Sequence, residues 1–378
     1  MMKIIVATSL LSPYRVDWLD ELGKVAEVDV FYLIDKDNSR NSDWISKRPK
    51  HCNYTIMQGI NFYKIGKISF DFIKYLKKNK NKYDVIIVDG YGFATQILNL
   101  MYLNKKKYKY YVNVDGLIAS RNEKKIIAWI KTMIISRFPY CLSGSKATNQ
   151  ILVRYGMEEE NIFNHPFTSL FNHDILQEVV SNEKKIQLRD ELEIKEEKVV
   201  ISVGRFSYLN GYGKGYDALL RAAKIMDSNI GWYIIGGKPT KEFEELTIKY
   251  GLLNVHYIDH IGKEQLNKYY LAADIFVLMT IGDVWGLVIN EAMAQGLPII
   301  TTDKCVAGLE LVENGENGYI IPVGDVVELS NTVSILFDDE ALLEKMSKNS
   351  IKKIKMYTIE NMASRHMEIF VNNGMVDK

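Results

Sequence analysis

The amino-acid sequence predicts an α/β protein with two doubly wound parallel sheets. Short β-rich runs alternate with amphipathic stretches along the chain, and this alternation stops near residue 165 and restarts at residue 198. A length of 378 residues is also sufficient for two domains. Strands of four to seven residues that alternate with helices are typical of parallel sheets joined by right-handed crossovers.

The first half contains five predicted strands and three predicted helices. The strands lie at 3–9, 27–34, 84–89, 109–114 and 141–143, and the helices lie at 14–25, 70–79 and 123–137. The first apolar run is followed at once by Pro13 and Arg15, with no small-residue cleavage site, so it is interpreted as a buried strand and not as a signal peptide.

The second half repeats the pattern. Strands are predicted at 198–203, 232–235, 255–258, 275–279 and 298–302, with helices at 216–226, 241–250, 264–270 and 288–295. The join lies between 167 and 198, where 179–197 is rich in charge. We therefore expect domains at 1–170 and 171–355. The segment 356–378 contains a last amphipathic helix at 359–371, which fits either domain, including a return to the first.

Composition excludes several classes of protein. Hydrophobic residues make up 47% and charged residues 25%, which excludes disordered, collagen-like and disulfide-rich chains. Cys52, Cys141 and Cys305 are scattered without CxxC spacing, which argues against a disulfide framework or a zinc site. No apolar window is long enough to span a bilayer. A reduced, cytoplasmic compartment is the expectation.

Charge is distributed unevenly along the chain. The net charge is +1, which gives no reason to expect nucleic-acid binding, but residues 51–150 hold 17 basic and 5 acidic residues. Residues 166–378 hold 22 basic and 31 acidic residues. Lys124, Lys125 and Lys131 stand beside Trp129 and several isoleucines. This pattern fits either a solvated face with a buried helix behind it or, as we favour, contact with an anionic membrane surface.

The segment around Gly204, Arg205 and Lys214 is a candidate anion site. A strand ends at Val203, a glycine-bearing loop follows, and a helix begins near Tyr216. Two cations and a helix N-terminus at the carboxyl end of a strand suit a diphosphate. A solvated Arg and Lys on a surface loop is the alternative.

A second candidate lies around Asp283 and Glu291. A buried strand leads to a tight turn at Gly286, and the helix that follows ends before Gly296. Both carboxylates can face a ligand at the start of this helix, where backbone N–H groups attract anions. The alternative is an N-cap Asp with a solvated helical Glu.

The order of these motifs resembles glycosyltransferase family 4. The elements are Val-Gly-Arg followed by Lys-Gly, then Ile-Ile-Gly-Gly, then Ala-Asp-Ile-Phe-Val, and then Trp-Gly-Leu-x3-Glu-Ala-Met-Ala-x-Gly-x-Pro, whose Glu is separated by seven residues from an acid that precedes the motif. Asn317-Gly318-Tyr319, Pro322 and Gly324-Asp325 fit as well. The resemblance covers residues 198–330 strongly and is loose over 1–165. It implies the GT-B fold, in which two Rossmann-like domains face a central cleft, and transfer with retention of configuration.

The resemblance also implies roles for individual residues. Arg205 and Lys214 would hold the diphosphate of the donor, and Glu291 would accept hydrogen bonds from its ribose. Asp283, with the backbone of Trp285, Gly286 and Leu287, would lie against the donor sugar and its phosphate. The segment Asp259, His260, Ile261 and Gly262 would line the base pocket.

This sequence departs from the family at three places. Asp283 stands where a Glu is usual, and Asp259 where a Gly is frequent. In the first domain, Asp89 and Asp115 stand at strand ends where many members carry histidines. The residues of the first domain that act on substrate are therefore open.

Four first-domain residues are candidates for the cleft. Ser12 fits an N-cap and Pro13 fits the first helical position. Arg15 is unexpected there, since a cation opposes the helix dipole, and it is therefore a candidate for facing a ligand. Asp115 and His165 are the acid–base residues that a nucleotide-sugar epimerase, a rival interpretation, would need.

These observations predict a retaining glycosyltransferase that needs no cofactor and no metal. Asp35 and Asp37 have the spacing of a DxD metal motif, but they follow a strand outside the expected cleft and are interpreted as a loop. The expected partners are a nucleotide-diphosphate sugar, a glycan or polyprenyl-diphosphate-linked acceptor, and the inner face of the membrane, in synthesis of a bacterial surface polysaccharide. A catalytically silent sugar-nucleotide-binding subunit is the second rival.

Overall fold

The structure is a computed structural model that describes residues 1–34, 47–62, 66–79, 81–118 and 123–373. It divides into two compact units. The first comprises Met1–Phe171 and Tyr357–Lys378, and the second comprises Asn172–Met356. The predicted DxD-like pair, Asp35 and Asp37, lies outside the described residues.

Strands in both units are short, and most are buried. In chain order they are β1 Lys3–Leu10, β2 Glu27–Ile34, β3 Asn53–Ile56, β4 Ile60–Phe62, β5 Gly66–Ile68, β6 Val85–Asp89, β7 Tyr111–Val114, β8 Tyr140–Ser143, β9 Ile162–Asn164, β10 Lys198–Val203, β11 Ile230–Ile235, β12 Val255–Ile258, β13 Ile275–Leu278, β14 Ile299–Thr302 and β15 Gly318–Ile321.

Helices connect most of these strands. They are α1 Pro13–Gly23, α2 Asp71–Lys78, α3 Ala94–Lys105, α4 Lys125–Ile135, α5 Lys146–Arg154, α6 Asn182–Glu191, α7 Tyr216–Ile225, α8 Lys241–Tyr250, α9 Lys263–Ala272, α10 Leu287–Ala294, α11 Val306–Leu311, α12 Val326–Asp338, α13 Glu340–Ile354 and α14 Ile359–Asn372. Tyr208–Lys214 forms a 3₁₀ segment broken by residues with positive φ.

The first unit contains a seven-stranded sheet in the order β3-β2-β1-β6-β7-β8-β9. Its strand pairs are parallel, with Ile4 opposite both Val28 and Val85. The strand order reverses between β1 and β6, so the loops that leave these two strands diverge and open a crevice at their carboxyl ends. A small antiparallel pair, β4 with β5, lies apart from this sheet.

The second unit contains a six-stranded parallel sheet in the order β12-β11-β10-β13-β14-β15. Its order reverses between β10 and β13, which makes a second switch point. The central strands of both sheets are mostly apolar and buried, as is typical of parallel sheets with helices on both faces. Val199 to Val203 of β10 illustrates this, with no side chain more than 7% exposed.

The structure confirms the predicted α/β alternation and adds elements that the sequence pattern obscured. Helix α3 was missed because it buries Gln96 and Asn99 beside its leucines, which breaks the apolar periodicity. Strands β3 and β9 at the sheet edges were also missed. Helix α14 belongs to the first unit, where the N–H of Ile359 donates to the carbonyl of Leu170 at 2.7 Å.

Candidate functional site

The loops after β10 and β13 meet at the switch point of the second unit. Gly213 accepts two hydrogen bonds from the β13 loop, one from the Thr280 hydroxyl at 2.9 Å and one from the Ile281 N–H at 3.2 Å. The Tyr208 hydroxyl donates to the carbonyl of Gly282 at 3.2 Å. The 3₁₀ segment after β10 is therefore fastened to the loop that carries Asp283.

Two glycines permit this close approach. Gly215 has φ +73°, and a Cβ added there would lie 2.0 Å from the carbonyl oxygen of Met279. A Cβ at Gly236, which has φ +128°, would lie 2.5 Å from the carbonyl oxygen of Gly204. Only glycine combines these backbone angles with such short contacts.

Lys214 and Asp283 form an ion pair across the two loops. Lys214 Nζ lies 2.6 Å from Asp283 Oδ2, and the two side chains are 14% and 18% exposed. Arg205, by contrast, is exposed. The two cations that the sequence groups together thus differ: Asp283 already neutralises Lys214, while Arg205 is open to solvent.

Helix α10 starts directly beside this pair. Gly286 has φ +101°, and a Cβ there would lie 2.7 Å from the Sγ of Cys305, so the turn into the helix requires glycine. Leu287 is the first helical residue, and the N–H groups of a first helical turn have no partner within the helix. The site thus combines the Lys214–Asp283 ion pair with a helix N-terminus.

The Trp285 side chain points into the protein interior. Its indole N–H donates to the Asn290 side chain at 2.8 Å, and the residue is 3% exposed. Its carbonyl accepts from the N–H of Ala307 at 2.8 Å. Trp285 therefore fixes the turn, and the part of the turn left for a ligand is the backbone near Gly286 and Leu287.

Glu291 lies farther along α10 in a poorly solvated position. Burial raises the pKa of its carboxyl to about 7, although a hydrogen bond from the Tyr270 hydroxyl, 3.2 Å away, and the charge of Lys263 both favour the ionised form. Tyr270 was missed by sequence reasoning because a tyrosine inside an amphipathic helix gives no functional signal.

The predicted base-pocket segment links β12 to α9. Asp259 and His260 are exposed, as is Gly262, the N-cap of α9, and Ile261 is half-buried. The Asp259 side chain accepts from the N–H of His260 at 2.7 Å. The segment leaves the same edge of the sheet as the loops after β10 and β13, since all three strands are parallel.

A cavity of about 320 Å³ lies at the switch point of the first unit. Arg15 is 3% exposed, and its Nη2 lies 2.9 Å from Oδ1 of Asp89 and 2.9 Å from both carboxylate oxygens of Asp115. The Asn113 amide donates to Asp89 at 2.9 Å and to Asp115 at 3.2 Å. Burial raises the pKa of Asp115, against the opposing effect of Arg15.

This arrangement changes the interpretation of Arg15 and Ser12. Arg15 does line the cavity, but its charge is offset by two carboxylates, because a buried guanidinium needs compensation. Arg15 is therefore not an unpaired cation that could bind an anionic ligand. Ser12 is the N-cap residue of α1 and Pro13 is the first helical residue, as expected, but the Ser12 hydroxyl makes no capping hydrogen bond.

His165 is buried inside the first unit and does not offer an acid or a base. Its ring centroid is 4.4 Å from that of His366 on α14, and neither of its ring nitrogens has a hydrogen-bond partner among the described residues. Burial lowers the pKa of His165 well below its usual value. The sequence offered no signal of this packing, since the two histidines are 201 positions apart.

With this geometry in view, known proteins were compared. Residues 183–353 match the family model described as "Glycosyl transferases group 1". The matched segment lies within the second unit.

Three curated relatives are similar over different lengths. The "uncharacterized 41.2 kDa protein in cps region" of Klebsiella pneumoniae is 27% identical over 79% of this chain and 82% of its own. The N-acetyl-alpha-D-glucosaminyl L-malate synthase of Bacillus anthracis is 26% identical over 62% and 66%. The N,N'-diacetylbacillosaminyl-diphospho-undecaprenol alpha-1,3-N-acetylgalactosaminyltransferase of Campylobacter jejuni is 22% identical over 50% and 49%. This chain therefore spans about two thirds of the length of the Bacillus relative and about half of the length of the Campylobacter relative.

Solved structures settle the fold. HepE of Anabaena in complex with UDP has a TM-score of 0.78, with 16% identity, over 98% of this chain and all of that one. Sucrose-phosphate synthase from Thermosynechococcus elongatus has a TM-score of 0.74 over 99% of both chains. The fold of this chain is GT-B, as the sequence predicted.

Within the matched segment, the motif residues converge at the switch point of the second unit. The loops that carry Arg205, Lys214 and Asp283 meet there, and Glu291 follows on α10. Among the described residues there is no group of His, Cys, Asp and Glu side chains that could hold a metal ion, and no helix is long and apolar enough to cross a bilayer.

Proposed function

We propose that this protein transfers a sugar, with retention of configuration, from a nucleoside-diphosphate sugar to a hydroxyl of a glycan acceptor. The observation that carries the proposal is the 2.6 Å Lys214–Asp283 pair beside the N-terminus of α10, at the switch point of a group 1 glycosyltransferase domain. The transferase name of the Campylobacter relative supports transfer over the epimerase alternative.

The donor diphosphate would lie between Arg205, Lys214 and the first turn of α10. These groups act when the bond from the sugar to the diphosphate breaks, because charge then grows on the leaving oxygen. Asp283 holds the Lys214 ammonium in place before the donor arrives. Cations of the protein would in this way replace a metal ion, so we propose a reaction that needs no metal and no cofactor.

The nucleoside would extend along the same edge of the sheet. Glu291 would accept hydrogen bonds from the ribose hydroxyls, and the segment Asp259–Gly262 would border the base. The UDP bound to HepE supports a uridine nucleotide as the first one to test.

Retention would follow from attack on the face that the leaving group vacates. The acceptor oxygen forms the new bond to the anomeric carbon as the old bond breaks, and the departing diphosphate oxygen takes the acceptor proton. The resemblance to family 4 supports this path.

The test is incubation of the full chain with UDP-sugars, with nucleotide release and anomeric configuration followed by NMR. We expect slow hydrolysis without acceptor, retained configuration, and activity that persists in excess chelator. Epimerised donor would support the epimerase instead. Binding without turnover would support a silent subunit, and a Mg²⁺-reversible loss in chelator would restore the Asp35–Asp37 metal hypothesis.

Variants of the cations sharpen this test. Arg205→Ala and Lys214→Ala should each lower kcat by at least about tenfold, because a charge-assisted hydrogen bond contributes about 1.5–3 kcal/mol and grows stronger in the transition state. Lys249→Ala, an exposed lysine near the C-terminal end of α8, is the control. Equal losses of turnover and of uridine binding would indicate damage to the fold instead.

We further propose that the acceptor is a lipid-linked glycan and that α4 holds the first unit on an anionic membrane. Five large apolar side chains of this helix are at least 37% exposed, and Ile135 is its one buried residue. They are Ile126, Ile127, Trp129, Ile130 and Met133. At 100° per residue, four of them form a stripe opposite Ile135.

Charge favours a bilayer over a second copy of the chain as the occupant of this stripe. Lys124 and Lys125 flank it and are exposed, and the first unit carries a net charge of +9, so two such faces would repel each other. Lys131 pairs with Glu123 and contributes little to the attraction. The lipid-linked acceptor in the name of the Campylobacter relative supports the same location.

Vesicle co-sedimentation tests this membrane proposal. The protein should bind phosphatidylglycerol vesicles and not phosphatidylcholine vesicles, and added salt should weaken binding, since each lysine near the surface contributes about 1 kcal/mol. Trp129→Gln with Ile126→Gln, and separately Lys124→Glu with Lys125→Glu, should reduce binding without loss of donor hydrolysis. Met101→Gln, an exposed apolar residue on α3, is the control. Failure to bind at low salt would favour a soluble acceptor.

A further inference from the structure

The Tyr208 side chain contacts both loops of the proposed donor site. Its hydroxyl donates to the carbonyl of Gly282, the residue before Asp283, at 3.2 Å. The ammonium of Lys214 lies over its ring, with Nζ 5.7 Å from the ring centroid. One half-buried tyrosine therefore connects the two loops that carry the Lys214–Asp283 pair.

The backbone after Tyr208 brings its ring and the ammonium together. Leu209 and Asn210 have φ values of +48° and +53°, in the left-handed region that is unfavourable for residues other than glycine. They turn the chain back, so that Lys214 returns to the ring. Gly213 packs against the same ring, where an added Cβ would lie 2.3 Å from a ring carbon. Backbone strain of this kind is concentrated at functional sites, so the turn points to a role for the ring.

A ring face and a carboxylate restrain an ammonium in different ways. Asp283 accepts a hydrogen bond from Lys214 at 2.6 Å and offsets its charge. The π electrons of Tyr208 attract the same ammonium without a counter-charge. A lysine ammonium has three N–H donors, and among the described residues Asp283 is the one hydrogen-bond partner of Lys214 Nζ. Two donors therefore stay available for the oxygens of a ligand.

Lysine needs such a restraint more than arginine does. Its ammonium is at the end of a flexible four-carbon stem, and ordering that stem costs conformational entropy. The Lys214 side chain is 14% exposed, so the attraction of the ring acts in a poorly solvated place, where it is stronger than at the surface. The entropy is then lost on folding and not again when a ligand binds.

We propose that Tyr208 is a positioning residue for the donor diphosphate: its ring fixes the Lys214 ammonium, and its hydroxyl fixes the loop of Asp283, before the donor binds. The identity of the ligand as a diphosphate rests on the proposed glycosyl transfer. The restraint of Lys214 by Tyr208 does not, and the two parts are tested by separate measurements.

NMR of the full chain tests the restraint of Lys214. With ¹³C-labelled lysine, the Hε protons of Lys214, assigned with Lys214→Arg, should be shifted upfield by the ring current of Tyr208. Tyr208→Leu should return this signal to the position of the exposed lysines, and Tyr208→Phe, which keeps the ring, should retain the shift. UDP added to the wild type should perturb the same signal, because its diphosphate would bind the ammonium.

Donor hydrolysis tests the consequence for catalysis. Tyr208→Leu should lower kcat about tenfold and change KM for the UDP-sugar by less than about threefold, because the charge of Lys214 acts mainly when the leaving diphosphate gains charge. Tyr208→Phe should recover most of kcat, since its ring keeps the ammonium in place. A side chain that only supports the fold would produce neither this separation of kcat from KM nor this recovery.

Tyr250 provides a matched control in the same unit. It ends α8, outside the site, and the centroid of its ring lies 4.7 Å from Nζ of Lys224. Tyr250→Leu removes the same type of contact and should leave kcat, KM and the Lys214 signal unchanged. Thermal melting of each variant checks that it is folded.

Four results would overturn the proposal. They are a Lys214 signal that does not move in Tyr208→Leu, a Lys214 signal that does not respond to UDP in the wild type, a kcat that Tyr208→Leu leaves unchanged, and equal kcat losses in Tyr208→Leu and Tyr208→Phe. A protein that hydrolyses no UDP-sugar would refute the proposed transfer. The role of Tyr208 at a diphosphate site would then still stand if both NMR effects are observed.

Discussion

At the scale of single residues, Glu291 shows how position changes the chemistry of a common side chain. In the sequence it is one acid on an amphipathic helix. In the structure, burial raises its pKa to about 7, which is within the physiological range. Its hydrogen-bonding role therefore depends on pH, since protonation turns one carboxylate oxygen into a donor and removes the charge that strengthens the hydrogen bonds it accepts.

We expect UDP affinity to fall as the pH decreases through about 7, because protonation of Glu291 removes an acceptor. Glu291→Gln should bind UDP more weakly at pH 8 and should lose that part of the pH dependence. Calorimetric titration at pH 6, 7 and 8 measures both effects. The difference between wild type and variant cancels the titration of UDP itself, and Glu344→Gln, exposed on α13, is the control. If the pH profiles of UDP affinity for wild type and Glu291→Gln are parallel, Glu291 does not contact the ribose.

Glu291 also affects the stability of the free protein. Its folded pKa of about 7 is above the ordinary value of 4.5, so the folded state binds more protons between these two values. The contribution of this side chain to stability is therefore greatest at low pH and is lost as the pH rises to 7. The burial of Glu291, which is proposed to contact the ribose, therefore lowers the stability of the free protein at pH 7.

At the scale of elements, the turns that join strands to helices position the residues of the proposed donor site. Gly215 joins the 3₁₀ segment to α7, and its backbone lies against Met279 at the end of β13. The loop with Lys214 and the loop with Asp283 can approach each other only if this contact persists.

Gly215→Ala should therefore destabilise the protein far more than an ordinary glycine substitution. Gly324 is a matched control, since it has φ +75° against +73° for Gly215, but a Cβ there meets nothing within 4 Å. Gly324→Ala should cost about 1–2 kcal/mol from the backbone angle alone. Gly215→Ala should cost more, because its Cβ would collide with a backbone oxygen 2.0 Å away. Urea unfolding measures the two losses, and equal values would show that the contact is not rigid.

At the scale of the whole molecule, the two units differ in charge and in how they respond to acid. The first unit carries +9 and the second −8. The first unit also buries His165 and His366 against each other, and burial lowers the pKa of His366 to about 4. Both histidines are neutral in the folded protein at pH 7.

Acid should therefore unfold the first unit through its histidines. Between about 6.5 and 4 the unfolded chain binds a proton at His366 that the folded state excludes, so stability falls as the pH falls. At pH 5 the loss from this residue is about 2 kcal/mol, since each pH unit below the ordinary pKa of 6.5 costs about 1.4 kcal/mol. Hydrogen exchange of β1 and β6 at pH 7.5 and 5 measures it. His366→Leu should flatten the dependence, and His51→Gln, an exposed histidine, should not. An unchanged dependence in His366→Leu would contradict this account.

Local signals in the sequence were sufficient for five of the six strands of the second unit, whereas β15 and the helices α6, α11, α12 and α13 were not predicted. These five strands, the glycine after β10 and the turn before α10 follow from apolar runs, glycine spacing and helix-end chemistry, all of which act within about twenty residues. The two doubly wound α/β units were accessible for this reason, while the GT-B fold and the residues of the proposed donor site were implied by the resemblance to family 4. The exposed stripe of α4 was also visible as a mixture of lysines and isoleucines, although the pairing of Lys131 with Glu123 was not.

Contacts between distant residues decided the rest. Asp89 and Asp115 meet Arg15 only because β1, β6 and β7 are neighbours in the sheet, and that order converts a lone cation into a neutralised one. His165 becomes inert because α14, at the other end of the chain, returns to cover it. A sequence determines by itself what its neighbouring residues can form. Charge compensation and desolvation depend on which distant side chains share the same space, and only the tertiary structure decides that.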